Sequence, residues 1–463
     1  MKSGAGGRRR HGAFHYAVTL ERSRGSIVWA ARLVPVEFPP PRRRIHVSRL
    51  TRSQSPLYMA LMTKVLIIGA GHAGGSVAAF LRQYGHEGPI VLAGQEDAPP
   101  YQRPPLSKAW LKGEADLDAL LLRPLSFYAE QDIDFRPGVE AVSVDPSARQ
   151  VVFCDGSEET YDVLVLATGA TARKLPVPGG DHPDLLELRT LRDAERLKAA
   201  LGPGRRLAVV GGGYVGLEAA ASARALGAEV VVIERAPRVL ARVASQPLSD
   251  FFTERHRAHG VEILAGAEVM AIARDGVALA DGAVIEADAV LIGVGAVASD
   301  GLARSAGLLC DDGVVVDEQA RTSDAAVFAV GDMTRRPIPV HGGVHHRLES
   351  VPNALEQAKQ AAAAIVGRPG PVPEVPWFWS DQYEFKLQIA GLPFDADRQV
   401  VRGDPSAGAF AVFHLAGDKL VCVEAVNAPP EFMAGKKLIA ATAPVDAAKL
   451  ADVSVSMKAV AAG

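Results

Sequence analysis

One pattern occurs twice in this chain, and any fold must accommodate both copies. "KVLIIGAGHAGGSVAAFLRQYG" begins at Lys64, and "RRLAVVGGGYVGLEAAASARALG" begins at Arg205. Each joins an apolar, β-branched run to a G-x-G-x-x-G turn and an Ala-rich helical stretch. The glycines are Gly69, Gly71 and Gly74 in the first copy and Gly211, Gly213 and Gly216 in the second. A strand that turns sharply into a helix needs one glycine for the turn. It needs another where the backbone approaches a ligand, and a third where helix packs on strand. The helix N-terminus then offers free N–H groups and a positive dipole end to a phosphate. A lone G-x-G-x-x-G says little, but one set between strand and helix says much more. The chain is therefore expected to be an α/β protein with two Rossmann-like dinucleotide-binding domains, followed by a small C-terminal α+β domain.

The residues around each turn suggest different ligands. In the second copy, the strand after the helix ends on Glu234, where a carboxylate can accept ribose hydroxyls and repel a 2′-phosphate. That favours NADH over NADPH, although Arg235 beside it works the other way. In the first copy the corresponding strand end reads "LAGQEDAPPY", so the acid, Glu96, follows Gln95 and is less cleanly placed. Two sites for two dinucleotides suggest a tightly held FAD and a diffusible NADH. "VFAVGDM" ends a strand on Gly331 and Asp332, a carboxylate that can reach ribityl hydroxyls. "VLVLATGA" offers Thr168 and Gly169 for close approach beside a cofactor.

The rest of the chain limits the chemistry. Cys154, Cys310 and Cys422 contain no C-x-x-C, which argues against a disulfide framework, a zinc knuckle or a dithiol redox centre. Three buried thiols in a reducing cytoplasm are expected. No apolar run is long enough to span a bilayer. Residues 1–58 carry twelve Lys and Arg against only Glu21 and Glu37, within an overall net charge of −3. This basic stretch is read as a disordered arm or an over-long start, with the functional protein beginning near Met62. "DAPPYQRPPLSKAWLKG" is too proline-dense for regular structure. From "VPWFWSDQYEFKLQIAGL" onward, strand-like alternation gives way to helices.

Taken together, "GAGHAG", "YQRPPLSK", "LATGA", "GGGYVGLE", "AVGDM", "RLESVPNALEQAK" and "PWFWSDQ" resemble the FAD-dependent, NADH-utilising ferredoxin reductases. These are the putidaredoxin-reductase type and the reductase components of aromatic-ring dioxygenases. The resemblance covers roughly residues 62–460. It implies an FAD-binding domain over 62–176 and 298–376, an NADH-binding domain over 177–297 and a C-terminal domain over 377–463. It also implies that electrons pass from NADH to FAD and then to a [2Fe–2S] ferredoxin serving a cytochrome P450 or Rieske oxygenase.

Residue by residue, the resemblance places Gly69, Gly71, Gly74, Glu96, Arg103, Thr168, Gly169 and Asp332 on FAD. Lys108 would lie near flavin N5, with Glu218 pairing with it or with the nicotinamide carboxamide. Pro352 and Asn353 would line the isoalloxazine, and Trp377 and Trp379 would pack against the flavin edge. Gly211, Gly213, Gly216, Glu218, Glu234, Arg235, Arg242 and Gly295 would take NADH, with Arg238 in the same basic turn. Lys436, Lys437 and Arg402 are candidates to meet an acidic ferredoxin. His341, His345 and His346 have conceivable metal spacing, but a variable loop without metal is expected. No nucleic-acid or membrane partner is expected. Other readings on this fold are an NADH:rubredoxin reductase, an NADH oxidase, a nitrite reductase NAD(P)H subunit or an apoptosis-inducing-factor-like interaction protein.

Overall fold

In the computed structural model, which describes residues 61–460 except Arg274, the first apolar run forms strand β1 (Val65–Ile68). All four of its residues are buried. A strand covered on both faces reads as a continuous apolar run rather than an alternation. At its end Gly69 takes φ +110°, and a Cβ there would lie 2.2 Å from the Ala167 carbonyl oxygen. Only glycine fits that corner. The chain then forms α1 (His72–Gln83), β2 (Ile90–Ala93), β3 (Ile133–Arg136) and β4 (Val163–Leu166). Val65 is in parallel register with Ile90 on one side and Val163 on the other. The basic leader expected over 1–61 lies outside the described residues, but for Leu61.

A second parallel sheet follows before the first is finished. It comprises β5 (Arg206–Val210), α2 (Tyr214–Ala225), β6 (Glu229–Glu234), α3 (Gln246–Ala258), β7 (Val261–Ala265) and β8 (Ala289–Ile292). Its strand order is β7–β6–β5–β8. The chain then returns as β9 (Val327–Ala329), which pairs with β4 and completes the order β9–β4–β1–β2–β3. The second unit is thus inserted into the first. α4 (Val351–Ile365) packs on α1, where Ala354, Ala358 and Ala361 share a core with Ala73, Val77 and Ala78. Small side chains let the two helices come close.

The C-terminal part is an antiparallel sheet of β10 (Trp377–Gln382), β11 (Phe385–Gly391), β12 (Arg398–Asp404), β13 (Ala409–Ala416) and β14 (Lys419–Val426). Its order is β10–β11–β14–β13–β12. One face is covered by α5 (Pro429–Ala441), through Phe432, Leu438 and Ile439. The other face joins the second unit's core. There Phe251 of α3 meets Phe385 and Phe410 edge-on at 5.0 and 5.2 Å. The α/β architecture with two Rossmann-like units and a smaller α+β domain is therefore present.

Two local expectations need correction. The proline-rich loop is partly regular: Pro104–Ser107 is a 3-10 turn and Ala109–Lys112 one turn of α-helix. Proline is tolerated at a helix start because the missing N–H would have had no partner there. Nor are all three thiols buried. Only Cys422 is, whereas Cys154 is exposed and Cys310 half-buried. Cys154 falls in the turn that follows its strand, which lies at the surface. Among the described residues, no helix is long and apolar enough to cross a membrane.

Candidate functional site

The first glycine turn is shaped for a ligand on one side and for packing on the other. A Cβ on Gly74 would lie 1.9 Å from the Gly69 carbonyl oxygen, so this glycine serves helix–strand contact. A Cβ on Gly71 would meet only an Arg103 nitrogen, at 3.9 Å, so this glycine borders open space at the N-cap of α1. Around it lies a chain of charged groups. Glu96 accepts from Arg103 and from the Tyr101 hydroxyl, both at 2.6 Å, and Arg189 pairs with Asp332 at 2.8 Å. Arg103 also donates to the Arg189 carbonyl, joining the two pairs into one chain. Burial pushes the Tyr101 phenol well up, keeping it protonated. Burial likewise brings His72 down to about 4, with Asp332 opposing the shift and Arg103 adding to it. The His72 Nδ1 and the Gln357 Nε2 are buried without a protein partner. An open helix N-terminus, two carboxylates and orphaned polar atoms together fit an FAD.

Thr168 and Gly169 stand at the end of β4. The Thr168 hydroxyl donates to the Ser299 carbonyl at 2.7 Å, and Gly169 takes φ +70°. Gly331, before Asp332, donates its N–H to Gln357 Oε1 at 2.8 Å. Pro352 and Asn353 open α4 beneath the N-cap Ser350.

The second turn repeats the division of labour. A Cβ on Gly216 would lie 2.4 Å from the Gly211 oxygen, whereas one on Gly213 would meet nothing within 4 Å. The Glu234 carboxylate accepts from the Gly212 N–H at 2.8 Å and from the Ala236 N–H at 2.7 Å. It therefore braces the turn while keeping further lone pairs for a ribose. Arg235 and Arg242 are exposed, and the Arg242 guanidinium lies 3.6 Å from where a Gly295 Cβ would stand. Arg238 differs: it turns inward and donates to the Ala241 and Ala244 carbonyls at 3.2 and 3.0 Å.

Between the two turns lies an ion pair of a half-buried lysine and a buried carboxylate. Lys108 Nζ, from the loop beside the first turn, is 2.6 Å from Glu218 Oε2 on α2. The Ser107 hydroxyl donates to the same oxygen at 2.5 Å, and Ser380 of β10 donates to Oε1 at 2.6 Å. Ser222 anchors the loop from below through the Ser107 carbonyl at 2.6 Å. Both units and the C-terminal sheet thus meet at one carboxylate.

Comparison with known proteins gives the family. The family described as "Pyridine nucleotide-disulphide oxidoreductase" matches residues 63–358, and "Reductase C-terminal" matches 377–461. "Probable ferredoxin reductase CtmF" of Castellaniella defragrans is 48% identical over 403 residues, covering 86% of this chain and 98% of that protein. Rhodocoxin reductase of Rhodococcus erythropolis is 43% identical over 399 residues, covering 85% and 93%. The chain belongs to the FAD-dependent NADH:ferredoxin reductase family. Among solved structures, the covalent putidaredoxin reductase–putidaredoxin complex matches with a TM-score of 0.84 and 41% identity, covering 86% of this chain and 98% of that one.

Within a ferredoxin reductase of this family, the C-terminal sheet brings β10 to the Lys108–Glu218 pair. Trp379 is half-buried and faces Trp377 at 5.7 Å. Of the cations considered for docking, Arg402 is not available. It is buried, paired with Glu431 at 3.1 Å, and donates to the Leu450, Asp452 and Val455 carbonyls. Lys436 pairs with Glu374 at 3.1 Å, whereas Lys437 is exposed. His341 accepts the Leu392 N–H at 3.1 Å, and His341 and His346 flank the Phe394 ring. Sequence reasoning missed Arg189, Tyr101 and Ser380. Ser380 and Gln382 do lie inside the quoted "PWFWSDQ", but a serine and a glutamine in a strand carry no signal of their own.

Proposed function

We propose that this chain transfers electrons from NADH through FAD to a [2Fe–2S] ferredoxin that feeds a cytochrome P450 or a Rieske-type oxygenase. The observation that carries the reading is the Lys108–Glu218 pair at 2.6 Å, with its carboxylate buried, joining the two glycine-turn units of a ferredoxin reductase fold. The chemistry a bound FAD would supply is acceptance of a hydride from NADH and single-electron release to the acceptor. The protein's residues bind, orient and tune.

Gly69, Gly71 and Gly74, with the N-terminus of α1, take the FAD pyrophosphate. Glu96, held by Arg103, and Asp332, held by Arg189, accept hydroxyls of the same cofactor. Thr168, Gly169, Pro352 and Trp379 line its ring end. Gly211, Gly213 and Gly216 take the NADH pyrophosphate, while Glu234 takes the adenosine ribose and Arg235, Arg242 and Gly295 lie alongside. Lys108 keeps a positive charge beside the flavin, and Glu218 restrains that ammonium. Residues 62–176 and 298–376 would form the FAD domain, 177–297 the NADH domain and 377–463 the covering domain. Three unpaired cysteines suit a reducing cytoplasm.

Purified protein mixed with NADH, a [2Fe–2S] ferredoxin and cytochrome c tests the reading. Cytochrome c reduction should require the ferredoxin. Reduction at the same rate without it would reject the assignment, and reduction supported by a rubredoxin alone would point to the rubredoxin reductase.

A further inference from the structure

The groups behind Glu218 form a connected set. Its Oε1 accepts from Ser380 at 2.6 Å. Ser380 Oγ and Gln382 Nε2 are 3.2 Å apart, Gln382 Oε1 and His256 Nε2 2.8 Å, and His256 Nδ1 and the Tyr383 hydroxyl 3.1 Å. Ser380, Gln382 and His256 are essentially inaccessible to water. The set crosses from β10 to α3, between the C-terminal sheet and the nucleotide unit.

Chemistry fixes the direction of every bond. The carboxylate facing Lys108 only accepts, so Ser380 must donate to it. Having spent its proton, Ser380 can only accept from Gln382, whose NH₂ therefore faces it. That turns the amide oxygen toward His256, which must carry its proton on Nε2. Nδ1 is then an acceptor, and Tyr383 must donate. Burial, countered by Gln382 and reinforced by His259, brings the imidazole down to about 4, which leaves it neutral as this scheme requires. All four bonds point toward Glu218, so each polarises the next.

We propose that Ser380, Gln382, His256 and Tyr383 are positioning residues, a one-way hydrogen-bond chain that holds Glu218 as an anion against Lys108. The chain thereby sets the charge presented to the flavin. Its effect on the flavin rests on the placement of Lys108 proposed above. The direction of the chain does not.

Two measurements test it. Long-range ¹H–¹⁵N spectra of histidine-labelled protein should show His256 as the neutral Nε2–H tautomer at pH 6. A charged ring or an Nδ1–H tautomer would overturn the chain. Tyr383→Phe removes only the outermost donor and should shift the Nδ1 resonance, and an unmoved resonance would count equally against it. For the functional half, the flavin midpoint potential is measured at pH 8 in FAD-loaded protein. With a donor lost, the Glu218 charge is less dispersed and the reduced flavin less favoured. Ser380→Ala should lower the potential by about 30 mV, a tenfold change in a two-electron equilibrium, and Ser380→Thr should restore it. Equal potentials in all three proteins would overturn the role at the flavin. Ferredoxin-dependent cytochrome c reduction, assayed separately, judges the enzyme reading and leaves the tautomer result standing.

Discussion

Two glycines five and two positions beyond Gly211 should respond oppositely to the same added methyl. Gly213 is the N-cap of α2, with φ −82° and ψ 177°, and a Cβ there meets nothing within 4 Å. Alanine fits this conformation, so Gly213→Ala should cost stability only about 0.5–1 kcal/mol, the difference in capping preference. The methyl would, however, stand where the proposed pyrophosphate approaches the backbone. NADH affinity should fall roughly 10- to 100-fold, or about 1.4–2.8 kcal/mol. Gly216→Ala puts its Cβ 2.4 Å from the Gly211 oxygen and 3.2 Å from a Val209 methyl. Backbone cannot yield as a side-chain tip can, so about 3 kcal/mol of stability should be lost. Urea unfolding separates the stabilities, and calorimetric titration with NAD⁺ separates the affinities. FAD content should stay unchanged in Gly213→Ala, because the first turn is untouched. If Gly213→Ala bound NAD⁺ as tightly as the parent, the second turn would not be the nucleotide cradle. If Gly216→Ala were as stable as the parent, the packing argument would fail as well.

Other outcomes follow from the same geometry. Glu234→Ala should raise the NADH KM about tenfold with kcat changed less than twofold, since a ribose contact is alike in ground and transition states. Steady-state kinetics checks this, and an unchanged KM would reject the ribose role. Lys108→Met should slow flavin reduction by NADH at least tenfold in stopped-flow while nucleotide affinity stays within twofold. A rate equal to the parent's would remove Lys108 from the chemistry. His256 makes a pH prediction. Its folded pKa of about 4 lies below its ordinary 6.5, so between these values the unfolded chain binds more protons and stability falls as the pH is lowered. The contribution, about 3 kcal/mol, is complete above pH 6.5 and lost by pH 4. Denaturant unfolding of the parent should show this loss, and His256→Gln should show about one proton less of pH dependence. Identical slopes would refute it.

What could be read from the sequence was what is local. Gly69 and Gly211 announce their turns because strand, glycine and helix are contiguous, and Glu234 because it closes the same βαβ unit. Asp332 could be singled out from "AVGDM", but not its partner Arg189, which lies 143 positions earlier in a stretch without a motif. Ser380 reaches Glu218 across 162 positions, a contact set by how the C-terminal sheet packs on α2. Exposure was hidden for the same reason. Arg402 reads as a surface cation until Glu431 and three carbonyls close over it. Such partners depend on tertiary packing, which leaves no period or spacing in the chain.

The position of Glu218 on α2 links the second glycine turn to the Lys108 loop. The helix whose N-terminus borders the open Gly213 also carries Glu218, five residues and roughly 7 Å further along its axis. Lys108 and Ser380, which hold that carboxylate, belong to the first unit's loop and to β10. No one part of the molecule therefore contains the whole arrangement. A small displacement of α2 when a nucleotide settles on its turn would move Glu218 against partners fixed elsewhere. On the placement proposed above, a nucleotide on the Gly213 turn and the carboxylate paired with Lys108 would share one helix.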